Sequence, residues 1–200
     1  MPHAVDVIED PGRAQALLHP ARIELLEHLT EPSSAAGLAK RLGQPRQRVN
    51  YHLRELEAQG LVELVGERTR GSVTERTYGR TSRSYAISTA ALGRLGTTPG
   101  DVQDRFSAAY QIALASRAVR DLGALQAGAR EARKRLPTFA LDVEVRFASP
   151  EARHAFAEEL TAAVAELVRR HHDAGAPRGR AFRFYVGAYP RPVEDPACAP

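Results

Sequence analysis

The first sixty residues alternate between apolar positions at helical spacing and short polar breaks. Apolar side chains recur at threes and fours between residues 14 and 29, with a break at Pro20, a residue favoured in the first turn of a helix. A short helix is expected next, capped by Ser33 or Ser34 and ended by a left-handed Gly43. The pattern thus predicts several short helices separated by tight turns.

A further helix is predicted for residues 45 to 59. Val49, Leu53 and Leu56 repeat at intervals of four and three residues and define one apolar face, and Gly60 closes the segment. Together with the preceding helix and the turn at its end, this segment predicts a helix-turn-helix.

Two strand-like stretches follow, "LVELVGE" and "ERTYGRTSRSYAIS", both rich in Val, Thr and Tyr. The segment "RTRGSVT" between them contains a glycine and small polar residues that suit a hairpin turn. A hairpin after a helix-turn-helix predicts a winged helix-turn-helix. Residues 1 to 12 lack periodicity and contain two prolines, so we expect them to be frayed.

The second half predicts a long helix and a smaller mixed unit. After the breaker at residues 96 to 100, helical spacing runs from 101 to 135. Residues 139 to 147 alternate apolar and polar side chains as a strand does, 149 to 172 read as an amphipathic helix, and 181 to 189 as a second strand. A strand-helix-strand unit is therefore predicted, and the fold class is α+β.

These elements divide the chain into a winged helix-turn-helix domain at 12–90 and a C-terminal helical and α/β region at 101–190. The apolar seam of the long helix, from Phe106 to Ala132, could be a ligand wall or a dimer face. Its alanines allow two helices to approach closely, which favours dimerisation.

Charge and cysteine usage narrow the class of protein. The formal net charge is +4, and residues 40 to 90 hold ten Lys and Arg against five Glu, so this segment is the basic part. Cys198 is the only cysteine, which excludes an intramolecular disulfide and a cysteine-cluster metal site. No run of 18 apolar residues and no leader pattern occurs, so a cytoplasmic protein without a membrane partner is expected.

The helix at 45 to 59 carries side chains suited to reading DNA. With Val49, Leu53 and Leu56 turned inward, a set of long polar side chains clusters on the opposite face: Gln47, Asn50, Tyr51 and Arg54. Arginine can bridge the two acceptors of guanine, and asparagine or glutamine can pair with adenine, in a major groove about 12 Å wide. Double-stranded DNA is therefore the predicted partner.

Phosphate contacts are expected at both ends of this element. Gln44, Arg46 and Arg48 lie near the helix start, where free backbone amides also favour phosphate. Arg68 and Arg70 lie at the hairpin tip, where they would reach the DNA backbone or the adjacent minor groove.

Other readings stay open. A polar face opposite an apolar stripe is also what any surface helix shows, and a winged helix can be a protein-docking module. A metal-responsive regulator could use the C-terminal imidazoles and carboxylates, namely His154, Glu158, Glu159, His171, His172 and Asp173. Motifs of catalysis, such as a phosphate loop, a nucleophile elbow or a metalloprotease pair, are lacking, so neither an enzyme nor a cofactor is expected.

Two segments, "HPARIELLEHL" and "VNYHLRELEAQGLVEL", resemble the winged helix-turn-helix of ArsR-type bacterial regulators. The resemblance covers residues 14 to 88 and implies a homodimer that binds a pseudo-palindromic operator, usually as a repressor. It also implies a DNA-reading role for the residues that match the family's recognition helix: Gln44, Arg46, Gln47, Asn50, Tyr51 and Arg54.

The chain departs from that family where its members hold metal. The recognition helix has no cysteine, and the long helix has no histidine to serve as ligand. His52 lies at the flank of the apolar stripe and is interpreted as structural. The region beyond residue 101 exceeds the minimal family architecture and is the expected place for an unidentified effector.

Overall fold

The computed structural model describes residues 2–70, 73–105 and 107–192, apart from the side chains of Arg70 and Val73. The chain divides into two units, which we call the N-terminal unit, up to Leu136 and including the residues from Tyr189 on, and the C-terminal unit, Pro137–Ala188. The sequence placed its boundary between residues 90 and 101. The predicted long helix lies within the N-terminal unit of this division.

Two short helices form the first layer of the N-terminal unit, α1 at Pro11–Leu17 and α2 at Pro20–His28. Asp10 caps α1, since its side chain accepts a hydrogen bond from the Arg13 amide at 2.8 Å. The predicted break at Pro20 is confirmed, because this residue opens α2 at its first position.

Helices α3, at Ala35–Leu42, and α4, at Arg46–Ala58, follow the predicted helix, turn and helix. The Ser34 hydroxyl caps α3 by accepting from the Gly37 amide at 3.2 Å. Gly43 ends α3 with a φ of 61°, a conformation that side chains with a Cβ rarely adopt. These local signals explain why the sequence located both helices to within a residue or two.

The predicted hairpin consists of strands β3, at Val62–Arg70, and β4, at Val73–Arg80, which pair antiparallel. A register irregularity falls between Leu64 and Gly66. The short strand β2, at Ser33–Ser34, pairs with the other edge of β4, so the hairpin and the start of α3 share one three-stranded sheet.

The expectation that residues 1 to 12 are frayed is wrong for the residues after Pro2. Residues His3–Ile8 form strand β1, which pairs in parallel with β5, at Ser82–Ile87. The Asp6 carboxylate accepts a hydrogen bond from Arg13 at 2.8 Å. The backbone hydrogen bonds of β1 are made with β5, which lies far away in the sequence. Residues 3 to 8 alone therefore contain no local signal that predicts this pairing.

The core of the N-terminal unit lies where α1 to α4 meet the base of the hairpin. Its fully buried large side chains are Ile8, Leu25, Leu29, Leu38, Val49, Leu53, Leu56, Leu61 and Tyr78, and α1 adds the buried Ala14 and Ala16. Such a set from six elements is one contiguous core, which fixes α4 on one face only.

The long helix α5 spans Ala108–Glu131 and is shorter than predicted. Its start is set by Ser107, whose hydroxyl accepts from the Tyr110 amide at 3.1 Å, and two 3-10 helices, Thr89–Leu95 and Pro99–Asp101, precede it. Helix α5 touches β1, since Arg130 donates to the Val5 carbonyl at 2.7 Å.

The apolar side chains of the α5 seam are largely exposed. Ile112, Val119 and Leu122 are exposed to 61%, 36% and 47%, so the seam lies open along the helix. Phe106, at the start of the predicted seam, lies outside the described residues.

In the C-terminal unit, helix α6 spans Pro150–His171 as predicted, capped by the Ser149 hydroxyl, which accepts from the Ala152 amide at 3.2 Å. The two strands predicted at 139–147 and 181–189 are wrong, since the structure shows no strand in either segment. Their alternation describes one apolar face, but a strand exists only when a neighbouring strand pairs with its backbone. Of the described helices, none is both long and apolar enough to cross a membrane.

Candidate nucleic-acid interface

Helix α4 has one anchored face and one open face. Val49, Leu53 and Leu56 are completely buried in the core of the N-terminal unit. On the opposite side Gln47 and Arg54 are exposed and Asn50 is half-buried. Within the N-terminal unit, the helix therefore presents the polar side chains that the 3.6-residue period assigned to its outer face.

An aromatic cluster lies along the flank of α4. Tyr51, 57% exposed, packs the edge of its ring on His52 with the centroids 5.2 Å apart, and His52 lies 5.0 Å from the ring of His19. His52 is buried, as its position at the flank of the apolar stripe predicted. Burial lowers the pKa of His52, and the nearby His19, Arg22 and Arg48 lower it further while Glu55 opposes them. The neutral ring packs as part of the helix support.

The polar residues at the start of α4 are exposed, whereas Gln44 in the preceding turn is half-buried and hydrogen-bonded. Arg46 and Arg48 are exposed, as a phosphate contact requires. Gln44 is half-buried, and its amide donates to the Glu24 carboxylate of α2 at 2.8 Å. In this structure the Gln44 side chain thus links the turn to α2.

At the hairpin, Arg68 is exposed and lies opposite Glu75 in the strand register. The side chain of Arg70 and residues 71 and 72 at the tip lie outside the described part of the chain. Of the two arginines predicted at the tip, Arg68 is therefore the one whose side chain the structure describes, and it is exposed.

Arg76 of β4 forms an ion-pair cluster that the sequence did not single out. Its guanidinium donates to the Glu57 carboxylate of α4 at 3.0 Å and 3.5 Å, and its Nε lies 3.2 Å from Glu67 of β3. The Arg76 guanidinium also lies 5.4 Å from the ring centre of buried Tyr78. One arginine of β4 thus joins α4 to the neighbouring strand β3.

Burial raises the pKa of the Tyr78 hydroxyl, and the Glu57 carboxylate raises it further. The hydroxyl accordingly stays protonated and donates to Glu57 at 3.5 Å, at the limit of hydrogen-bond length. Glu57 therefore receives donors from two residues of β4.

The neighbouring residue on β4 makes a second link, to the other helix of the pair. The Ser34 hydroxyl, which caps α3, donates to the Glu75 carboxylate at 2.6 Å. Glu75 and Arg76 thus connect the same strand to α3 and α4.

Periodicity within α4 could not reveal the Glu57–Arg76 contact. Only the strand register, which sets Arg76 opposite Glu67, places the guanidinium near the helix. The available signal was chemical, in that Arg76 is one of the basic residues of a segment whose acids include Glu57 and Glu67.

The C-terminal imidazoles and carboxylates that could have served as metal ligands do not come together in one site. His154 lies 3.3 Å from Glu158, one helical turn away, with both side chains largely exposed. Among the residues that the structure describes, no group of three or more His, Cys, Asp or Glu side chains is arranged to hold a metal ion.

Residues 17–65 match the family model of a helix-turn-helix domain. The chain therefore contains a helix-turn-helix domain, with α3 and α4 as its two helices. A comparison with curated proteins finds no match.

Solved structures show partial similarity. The chain is 26% identical to NolR from Sinorhizobium fredii, over 42% of this chain and 75% of that one, with a TM-score of 0.30. It is 22% identical to a possible transcriptional regulatory protein (fragment 1-100) from Mycobacterium bovis, over 36% and 72%, with a TM-score of 0.30. Reduced HlyU from Vibrio cholerae is 23% identical over 36% and 72%, with a TM-score of 0.29.

Proposed function

We propose that this protein is a sequence-specific transcription regulator that binds double-stranded DNA through a winged helix-turn-helix of ArsR type. One observation carries the proposal: α4 is anchored by three completely buried side chains while its opposite face is polar and open. A helix held in this way can enter the major groove without giving up its own core contacts.

In this proposal the residues divide by role. Gln47, Asn50, Tyr51 and Arg54 read base edges from the outer face of α4. Arg46 and Arg48 contact phosphate near the helix start, and Arg68 and Arg70 contact the backbone from the hairpin, which acts as the wing.

We further propose a homodimer that acts as a repressor. The open stripe of Ile112, Val119 and Leu122 on α5 is an apolar surface of the kind that a second copy covers, and its alanines permit close helix packing. Two copies would place two α4 helices about 34 Å apart, one turn of DNA. The protein would act in the cytoplasm, where its DNA target lies, and an unidentified effector would shift it between bound and free forms.

Mutations at the two classes of contact test the assignment. Asn50→Ala or Arg54→Ala is expected to cost roughly 1 to 3 kcal/mol at the specific site and to relax base preference there. Arg68→Ala and Arg70→Ala should weaken binding to all duplexes and flatten its dependence on salt. Fluorescence anisotropy on an operator and a scrambled duplex, over a series of salt concentrations, separates the two classes.

Equal losses on both duplexes for both pairs of variants would contradict the base-reading role of α4. The operator itself comes from sequencing the genomic fragments that co-purify with the protein. A protein-docking module, the second candidate, would instead retain a protein partner and show no salt-dependent affinity for duplex DNA.

A further inference from the structure

Arg76 differs from the neighbouring Arg68 of the hairpin in how it is held. Arg68 is exposed and forms no ion pair among the described side chains. Arg76 is about two-thirds buried, with 35% of its side chain exposed, and faces the carboxylates of Glu57 and Glu67 at 3.0 Å and 3.2 Å. Its positive charge is therefore compensated inside the protein, whereas that of Arg68 is open to solvent.

Moving Arg76 towards DNA would be unfavourable. The planar guanidinium meets the two oxygens of Glu57 in paired hydrogen bonds and lies against the ring of Tyr78. Leaving that position would give up these contacts and leave two acids, Glu57 and Glu67, without their cation. Arg76 is thus suited to holding the hairpin and poorly suited to contacting phosphate.

The contact between Glu57 and Arg76 connects α4 to the hairpin at some distance from the hairpin's end. Of the side-chain hydrogen bonds in the described residues, those that join α4 to β4 all end on Glu57 and come from Arg76 and Tyr78. The hairpin continues beyond Arg76 to Val73, three residues or roughly 10 Å further at a strand rise of about 3.3 Å per residue. A rotation of the hairpin at Arg76 would therefore displace Val73 by an amount proportional to this distance.

We propose that Arg76 is a positioning residue that, through Glu57, sets the offset between the DNA-reading helix α4 and the β3–β4 hairpin. This inference rests on the proposed function, because the offset determines whether helix and hairpin engage one duplex together. Arg76 makes no contact with DNA, and the pair Glu57 and Arg76 acts as a unit.

The test uses three substitutions in the full-length protein, Arg76→Gln, Arg76→Lys and Glu57→Ala, with Arg83→Gln as control. Arg83 lies exposed on β5, so its substitution removes one positive charge outside the cluster. Duplex affinity is measured by fluorescence anisotropy across a salt series, with thermal unfolding to verify that each variant is folded. Hydrogen exchange of the hairpin amides is measured on the DNA-free protein.

All three substitutions are expected to weaken duplex binding about five- to tenfold, with the double variant Glu57→Ala/Arg76→Gln no weaker than either single one. Arg76→Lys loses affinity although its charge remains, because an ammonium cannot reproduce the paired hydrogen bonds. The salt slope changes by the same amount in Arg76→Gln and in the charge-retaining Arg76→Lys, and the hairpin amides exchange faster in each variant but not in Arg83→Gln.

If Arg76 instead contacted a DNA phosphate directly, the variants would change duplex affinity and salt slope differently. Glu57→Ala would then tighten binding by releasing a cation, Arg76→Lys would behave as wild type, and Arg76→Gln would lower the salt slope by about 0.9. That result, or unchanged exchange of the hairpin amides in all three variants, overturns the proposal. A wild-type protein that binds no duplex, while the exchange rates still change, refutes the proposed function and leaves the structural contact standing.

Discussion

The N-terminal and C-terminal units have similarly amphipathic sequences but differ in what they bury. The buried hydrophobic residues of the described chain, from Ile8 to Ala113, all lie in the N-terminal unit. In the C-terminal unit α6 has no buried residue, and Phe139 and Phe184 are exposed to 79% and 72%. An apolar face is thus only half of a core, because a second face must cover it.

In the N-terminal unit the apolar face of each of the helices α1 to α4 is covered by the apolar faces of several other elements. Helices α1 to α4 turn their apolar sides to one centre, and buried Tyr78 closes it from the hairpin. The C-terminal unit has one helix and two irregular segments. Within it, the rings of Phe147 and Phe156 are in contact, with their centroids 5.3 Å apart. A single helix with such support lacks the layers from which independent domains are built.

Matched leucine truncations measure this difference, and they carry the largest effect that we expect. Leu53→Ala, at a completely buried position, should lower the free energy of unfolding by about 2 to 5 kcal/mol, because it leaves a cavity in the core. Leu160→Ala, at a position of α6 that is 38% exposed, should cost less than about 1 kcal/mol. Urea unfolding followed by circular dichroism gives both values.

Similar losses for the two variants would break the comparison. They would mean that α6 is covered in solution, for instance by a second copy of the chain. In that case the cost of Leu160→Ala would depend on protein concentration, whereas the cost of Leu53→Ala would not.

The helices of the first sixty residues could be predicted because their ends are encoded locally. Ser34 caps α3 with its own hydroxyl, Gly43 adopts the left-handed conformation, and Pro20 opens α2. Each of these signals acts within a few residues, so the sequence contains both the signal and its target.

Pairing over long distances could not be predicted in the same way. In the β1–β5 pair His3 lies opposite Ser82, and the sequence of neither strand indicates which segment it pairs with. The opposite error occurred at residues 139–147, where alternation indicated a strand but no neighbouring strand exists in the described chain. Periodicity reports which face of a segment is apolar and not whether another segment meets it.

The candidate site shows the same division. Helical spacing predicts the outer face of α4, on which Arg54 is exposed and Asn50 is half-buried. The hydrogen bond from the Gln44 amide to Glu24 could not be predicted, because the two residues are 20 positions apart. The Glu57–Arg76 contact depends on the strand register and was equally hidden.

Two glycines of α5 test whether that helix belongs with the N-terminal unit. A Cβ on Gly123 would lie 2.7 Å from the Cβ of Val7 on β1, whereas a Cβ on Gly128 would meet nothing within 4 Å. Gly128→Ala should therefore stabilise the protein by about 0.5 to 1 kcal/mol through its higher helix propensity. Gly123→Ala should destabilise it by about 1 to 3 kcal/mol, because α5 and β1 must separate to admit the methyl group.

Thermal unfolding of the two variants gives the signs directly. Stabilisation by both substitutions would show that α5 does not pack on β1 in solution. The long helix would then belong to neither compact core, and the boundary would fall before it.

Histidines of the two units provide the smallest expected effect, on pH dependence. His52 is buried in the N-terminal unit and its pKa is lowered by burial and by nearby cations, while His171 is exposed at the end of α6. The unfolded chain binds a proton at His52 near the ordinary pKa of about 6.5, and the folded protein resists it until a lower pH. Stability is therefore complete above that ordinary value and falls as the pH drops from it towards the folded pKa.

Replacement of His52 by glutamine should remove this part of the pH dependence, by at most about 1.4 kcal/mol for each pH unit between the two pKa values. His171→Gln, at an exposed position of α6, is the matched control. Urea midpoints between pH 5 and 8 measure both variants. A profile altered by His171→Gln and unaffected by His52→Gln would assign the pH sensitivity to the C-terminal unit, which would then need a packed environment that its exposed helix does not show.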